Sequence, residues 1–484
     1  MSLLDKLDPI INIIPAIKRP ETPLSLRDKL KWTGVVMFVY FFLFSIPAIG
    51  SNTAVLSQPA LQLINIIFAA RVGSLITVGI GPIVLASIVL QLLQGSGVIK
   101  VNMEDPSEKA RFQGVQKMAA ILLAVIESFI FVATGYVPIT SPALFQLVAI
   151  QLAIGAICVI YLDEIMAKYG ITSGLNMFIA GGVAFSIISG TINIILVEAI
   201  AAIAAGGASA IPNAILAFGP LFFAALVFLI SIYAYDIKVE LPLVFSQFRG
   251  VGGRLPIPLL YTSVLPVILA TSFELSLTVW FRFIANVSGT FAGLAKFIAL
   301  YQNSGSGLNL VGGILYLISP SFPLPYSAPY GIGGYTTYFS YLATSSSQLF
   351  LPLGGFVMVP EWIHIVLYTL TLVILCIIFG RFWIEMTGQN PKNVASQLQN
   401  IGWQIPGFRR DPRIIEGVLN KYIPTIAVLG SAFVGLLAAL ATLTGAVGTG
   451  VGILLTVGIM YMIYQQLEQE NALSAVPGLE KMVQ

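Results

Sequence analysis

Ten apolar stretches, each about the length needed to cross a bilayer, run through this 484-residue chain. A membrane-spanning helix needs about 20 predominantly apolar residues. The stretches fall at residues 32–49, 72–93, 118–137, 143–162, 175–203, 211–235, 258–283, 362–383, 423–443 and 451–467. The charges between them test that number. Of the 24 Lys and Arg residues, all but Arg71, Arg282 and Lys296 lie before the first stretch, in alternate loops (Arg381 at a stretch edge), or in the tail. The intervening loops near 138–142, 204–210 and 444–450 have none. Positive charge marks the cytoplasmic side. The pattern therefore predicts ten spans with both termini in the cytoplasm, and an odd number of spans would scramble it. Only 9% of residues are charged and mean hydropathy is +0.92, whereas a soluble domain carries about 25% charged residues. The expected fold class is an all-α polytopic membrane protein.

One stretch is too long for a single straight span. Residues Pro59 to Leu93 are nearly all apolar, yet Arg71, Val72 and Gly73 put a charge and a flexible backbone in the middle. Gly81-Pro82 then removes a backbone donor. One reading is a short apolar helix, a hinge and a true span. Irregular backbone at membrane depth survives only where protein or a water-filled cavity surrounds it, so that reading puts a half-helix inside a cavity. The other reading is one long tilted helix with a Pro kink.

The remaining segments are less regular. Met1 to Lys31 is basic and broken by prolines, and Leu7, Ile10, Ile11 and Ile14 suggest a helix lying on the membrane surface. No cleavable signal peptide is expected, because no compact apolar core precedes a small-residue cleavage site there. Two cytoplasmic loops, 236–257 and 384–422, are long enough to project. Arg409, Arg410 and Arg413 crowd into seven residues, more than topology requires, which suits a polyanion or acidic partner. The outer segment 284–361 is rich in Gly, Ser, Tyr and Pro, with short helices expected at Phe291–Leu300 and Gly312–Ile318.

Motifs for chemistry are missing. No Gly-rich loop ends in Gly-Lys-Ser/Thr, so nothing marks a nucleotide site. The one histidine, His364, makes no metal cluster. Cys158 and Cys376 sit deep in apolar runs and read as small core hydrophobes. No enzyme activity or cofactor is expected. Ionisable residues inside spans are costly and usually functional. Here they are Glu127, Glu198, Glu274 and Arg282. Glu198 and Arg282 fall near the outer interface. Glu127 and Glu274 suit either ion coupling in a secondary transporter or a polar helix seam that must open.

Several stretches resemble the SecY family, the central subunit of the protein-conducting channel: GIGPIVLASIVLQLL (79–93), YLDEIMAKYGITSGLNMFIAGGV (161–183), VLPVILA (264–270), FWIEMTGQNPKNVASQL (382–398), GFRR (407–410) and SAFVGLLAAL (431–440). The likeness runs over nearly the whole chain and is closer to the archaeal and eukaryotic branch. It implies ten helices in two pseudo-symmetric five-helix halves, 1–207 and 208–484, around a central pore. It implies that Ser51 to Ala70 form a plug closing the outer funnel. It implies a constriction of Ile80, Val84, Leu175, Ile179, Ile268 and Leu455. The pairs 80/84 and 175/179 share a helix face. An aliphatic collar dewets, so ions do not cross, while any polypeptide can push through.

The resemblance further implies a lateral gate of spans 2 and 3 against 7 and 8. Its polar positions would be near residue 92 in the Gln91-Leu92 pair, Glu127, and Ser276 where relatives carry an amide. Arg249, Arg254, Arg409 and Arg410 fall where the family docks the ribosome, whose RNA is a polyanion. The other implied partners are SecE/gamma-like and beta-type small membrane subunits, signal sequences and nascent chains, in the cell membrane. Nothing transfers to the segment 284–361. The alternatives are a transporter with broken helices and an insertase-like scaffold without a continuous pore.

Overall fold

A computed structural model describes residues 14–22, 24–52, 65, 68–95, 98–99, 105–204, 206–207, 210–245, 252–262, 265–285, 292–304, 307–320, 334–350, 355–401, 403–404 and 412–475. Each of the ten apolar stretches carries a helix. These are α1 (Leu26–Ser45), α2 (Gly81–Gly95), α3 (Pro106–Ala133), α4 (Phe145–Tyr169), α5 (Gly174–Asn193), α6 (Gly219–Asp236), α7 (Leu265–Ala285), α8 (Glu361–Met386), α9 (Pro412–Leu443) and α10 (Gly450–Ala475). Among the described residues, eight helices have the length and apolarity to cross a membrane. The α2 helix is shorter, at 15 residues, and α1 begins with a charged turn.

Local chemistry sets the helix ends. Ser25 caps α1 by accepting from the Asp28 N–H (3.3 Å). Asp105 caps α3, accepting from Ser107 N (2.8 Å), with Pro106 in the first turn. Beyond α5 the chain continues through a wider π turn, Ile194–Ala199, into Ile200–Ala204. A short helix, Ala210–Ala217, precedes α6; the two are separated at Phe218, and Gly219 opens α6 beside the Tyr335 ring.

Three expectations change. The second span starts as a helix only at Gly81, not 72, because Gly81-Pro82 opens α2: proline suits a first helical turn. The single kinked helix is thereby excluded, since residues 70–80 form turns. The helical surface segment is not seen either. Leu7, Ile10 and Ile11 lie outside the described residues, and the described residues from Ile14 up to α1 are not helical. Instead Pro15 to Lys18 form a strap clamped by backbone contacts: Lys117 Nζ donates to Pro15 O (2.5 Å), Glu164 Oε1 accepts from Ile17 N (3.1 Å), and Tyr169 OH donates to Lys18 O (2.9 Å).

The loops also hold two small sheets that the apolar pattern does not announce. In the first, β1 (Lys238–Phe245) pairs antiparallel with β2 (Gly252–Pro258), with Pro242 opposite Arg254. The outer segment holds β3 (Leu300–Ser304), β4 (Gly307–Gly312), β5 (Ser346–Phe350) and β6 (Phe356–Pro360) in that sheet order. The last strand, β7 (Trp403–Gln404), adds to the edge of β1 and so joins the two cytoplasmic loops of the sequence reading. The two short helices expected in the outer segment appear as Ala292–Ile298 and Ile314–Ile318, with a third at Tyr335–Thr344.

One large buried cluster draws on every labelled helix except α3. A second packs α3 on α4, with Val279 of α7 reaching into it.

Candidate functional site

The segment between Phe68 and Gly81 sits inside the protein without forming a helix, so its polar backbone must find partners there. It does. Leu75 N donates to Ile46 O (3.0 Å), Ala48 N to Gly73 O (2.8 Å), and Ile80 N to Phe68 O (2.9 Å). Val72 N donates to Asn65 Oδ1 (2.8 Å) and Gly73 N to Thr77 Oγ1 (3.0 Å). Tyr40 OH donates to Ala69 O, while its ring stacks on Phe178 at 4.4 Å. Gly79 has φ +55°, and a Cβ there would lie 2.1 Å from Phe68 O, so this turn requires glycine. Gly155 of α4 lets Leu75 O approach to where a Cβ would be 1.9 Å away.

This scaffold presents Ile80 at the mouth of α2. Val84 follows one turn later. Leu175 and Ile179 come from α5, whose start is fixed by Leu175 N donating to Asp163 Oδ1 (2.7 Å) and by the Ser173 cap. Ile268 comes from α7 and Leu455 from α10, where Thr449 Oγ1 accepts from Gly452 N (3.2 Å). Ile80, Val84, Ile179, Ile268 and Leu455 fall in the same buried cluster, and Leu175 packs against it half-buried. The six expected collar residues thus belong to, or pack against, one large buried cluster that draws, among the described residues, on nine of the labelled helices.

Beside the collar runs a seam of different chemistry. The α2 helix packs against α3, α7 and α8, and α3 also touches α7. Glu127 of α3 is 2% exposed, and its Oε2 has no hydrogen-bond partner among the described residues. That oxygen lies 3.2 Å from where a Cβ on Gly81 would sit. Glu127 therefore faces the N-terminus of α2, the end of a helix that favours negative charge. Ser272 Oγ, Ser276 Oγ and both Glu274 oxygens on α7 are also buried without partners. Position 92 needs correcting: Leu92 is exposed, and the polar group is Gln91, buried, with Nε2 donating to Ser87 Oγ (3.0 Å) and Oε1 unpartnered. A one-residue shift turns a helix by roughly 100°, so the two side chains face different surroundings. Ser272 was missed by sequence reasoning and Gln91 was placed only through the family resemblance, one residue off, because an uncharged polar residue in a span raises no alarm.

The plug range is only partly described. Ser51 and Asn52 are tied to the loop after α3, with Asn52 N donating to Pro138 O (2.7 Å) and Ser51 bridged to Ile139. Phe68, Ala69 and Ala70 are buried. Residues 53–64, 66 and 67 lie outside the described residues, as do Arg249, Arg409 and Arg410. Arg254 is exposed on β2 and pairs with Glu240 at 2.6 Å. The Arg254 guanidinium holds the Glu240 carboxyl below the ordinary carboxylate range. Tyr261, before α7, donates to Gln389 O (2.9 Å), and burial pushes its hydroxyl up to about 12.

These features define a polytopic helical membrane protein with a large aliphatic core, and with buried polar groups on α2, α3 and α7 that find no partner among the described residues. The SecY family model matches residues 74–464, and the chain belongs to the SecY family. It is 37% identical over 480 residues to the protein translocase subunit SecY of Methanococcus vannielii, covering 99% of each chain. It matches a solved SecY structure that concerns the plug domain, the closed state of the translocation channel and the membrane seal. There the TM-score is 0.75 at 36% identity, over 96% of this chain and 97% of that one. It also matches Sec61 from the canine ribosome-channel complex of the endoplasmic reticulum, with TM-score 0.72 at 35% identity over 96% and 97%. That membership sets aside the transporter reading of Glu127 and Glu274.

Proposed function

We propose that this chain is the channel-forming subunit of a protein translocase, a passive conduit rather than an enzyme. Secretory polypeptides cross through the collar of Ile80, Val84, Leu175, Ile179, Ile268 and Leu455. Membrane segments leave sideways through the seam between α2 and α3 on one side and α7 and α8 on the other, past Gln91, Glu127 and Ser276. Ser51 to Ala70 act as the plug. The halves 1–207 and 208–484 move apart as units.

The observation that supports this reading is a buried non-helical segment whose backbone finds partners inside the protein, next to a large aliphatic cluster that includes Ile80, Val84, Ile179, Ile268 and Leu455. Branched aliphatic groups make no directional bonds, so the closure is reversible and indifferent to the sequence passing through. The driving force comes from a partner. A ribosome docks on the arginine loops through Arg249, Arg254, Arg409 and Arg410, as counterion release on a polyanion favours. SecE/gamma-like and beta-type small subunits complete the complex in the cell membrane, with both termini cytoplasmic.

The test is transport by vesicles containing the complete complex. Ribosomes bearing a secretory chain should deliver a fully hydrophilic reporter into the lumen. Failure of that reporter to cross, with membrane insertion intact, would favour a scaffold without a continuous pore.

A further inference from the structure

Arg282 is the one basic residue in the last turn of α7, and it is buried, at 4% exposure. Its guanidinium carbon lies 4.0 Å from the ring centroid of Tyr136, just past the end of α3. Among the described residues no carboxylate lies within ion-pair distance of it; its Nε has no hydrogen-bond partner, while the guanidinium also donates to the Tyr136 hydroxyl. Tyr136 is itself buried and packs against Phe131 of α3 at 5.6 Å. Val279, one turn before Arg282, is buried in the same cluster as Phe131 and Tyr136. Tyr301 of β3 closes over this end of α7 by donating to Thr278 O (2.7 Å). A cation from one side of the α3–α7 seam thus rests on an aromatic face from the other side, under the outer sheet.

We propose that Arg282 and Tyr136 form an outer latch across this seam, and that the latch sets how apolar a signal segment must be to open it. The inference rests on the channel reading above. A buried ion pair would close the seam firmly, because parting it strands a charge. A cation on a ring face holds more loosely, and opening returns the guanidinium to water. That is the strength suited to a gate that an apolar helix must open by binding. The latch is also well placed, since it sits at the outer end of the seam while Glu127 and Ser276 lie deeper.

The test uses cells, or vesicles containing the complete complex, and one hydrophilic reporter behind signal segments of graded apolarity. Arg282→Gln and Tyr136→Leu should each raise export behind a weakened signal by about tenfold, the scale of one desolvated cation–π contact. Export behind the strong signal should not change. Tyr136→Phe keeps the ring but loses its hydrogen bond to Arg282, so its weak-signal export should fall between wild type and Tyr136→Leu. The double variant should match the single ones, because both remove one contact. Unchanged weak-signal export in both single variants would overturn the latch, as would Tyr136→Phe behaving like Tyr136→Leu. A second arm guards against variants that fold poorly. Cysteines at 136 and 282, bridged by a short cleavable linker, should block export of the strong-signal reporter until the linker is cut. Export unaffected by bridging would also overturn the proposal. Wild-type vesicles that fail to export the strong-signal reporter would instead overturn the channel reading itself.

Discussion

The collar and the seam lie side by side and are built on opposite principles. In the collar, Ile80 and Ile179 are fully buried and Val84, Ile268 and Leu455 nearly so, with no polar side chain among the six residues. On the helices of the proposed seam, Gln91, Glu127, Ser272, Glu274 and Ser276 bury polar atoms that find no partner among the described residues. Each such atom costs about 1–3 kcal/mol. The collar is closed by contacts that re-form wherever the chains meet. The seam is held shut by packing and carries groups that gain hydrogen bonds once water or a guest segment enters. On the proposed function, the first closure resists ions and the second parts.

The largest expected effect comes from exchanging these chemistries. Asp at both Ile80 and Ile179 should hydrate the collar and raise vesicle ion conductance by about tenfold or more. Conductance at the wild-type level would place the barrier elsewhere. Next in size is the support behind the collar. Gly155→Ala would press a Cβ into Leu75 O, and overpacking of this kind costs about 1–3 kcal/mol. The measurement is thermal unfolding in detergent, where the midpoint should fall by several degrees. An unchanged midpoint would mean that the segment around Leu75 yields freely.

A smaller change should come from making the seam resemble the collar. Glu127→Leu removes a buried unpartnered carboxylate and should favour the closed seam by about 1–3 kcal/mol. Export behind weak signals should drop while ion conductance stays low. If both rise together, collar and seam are one device. The smallest effect lies outside the membrane, at Glu240 and Arg254. The Glu240 carboxyl is held below its ordinary range by Arg254, so its contribution is present above the unfolded carboxylate pKa and fades as pH falls through the lower folded value. Arg254→Gln should return the carboxyl titration, followed by NMR, to the ordinary range. Both groups are exposed, so stability should barely move.

The helix framework was legible because a bilayer demands apolar length and sorts basic residues to one side. The break before α2 was legible for a similar reason: Arg71 and Gly73 interrupt a run too long for one span. What hydropathy does not encode is which apolar face turns inward. Ile80 and Val89 read alike, yet one is buried and the other exposed. Family likeness, not spacing, singled out the six collar residues. The seam was half legible, since Glu127 and Glu274 stand out as rare charges while Gln91 and Ser272 do not. Arg282 looked like an interfacial residue because it ends a span, and only the fold brings Tyr136 to it. The β1–β7 pairing stayed hidden because it joins strands more than half of the C-terminal half apart, beyond any local pattern, while the hairpins stayed hidden because hydropathy marks spans and not short strands in loops.

The central claim is that a polypeptide threads the aliphatic collar. Cysteines placed singly at Ile80, Leu175, Ile268 and Leu455 should each cross-link to a cysteine in a stalled nascent chain, through the same short stretch of that chain. Cross-links confined to lipid-facing positions such as Leu436 or Phe222, with none at these four, would contradict it.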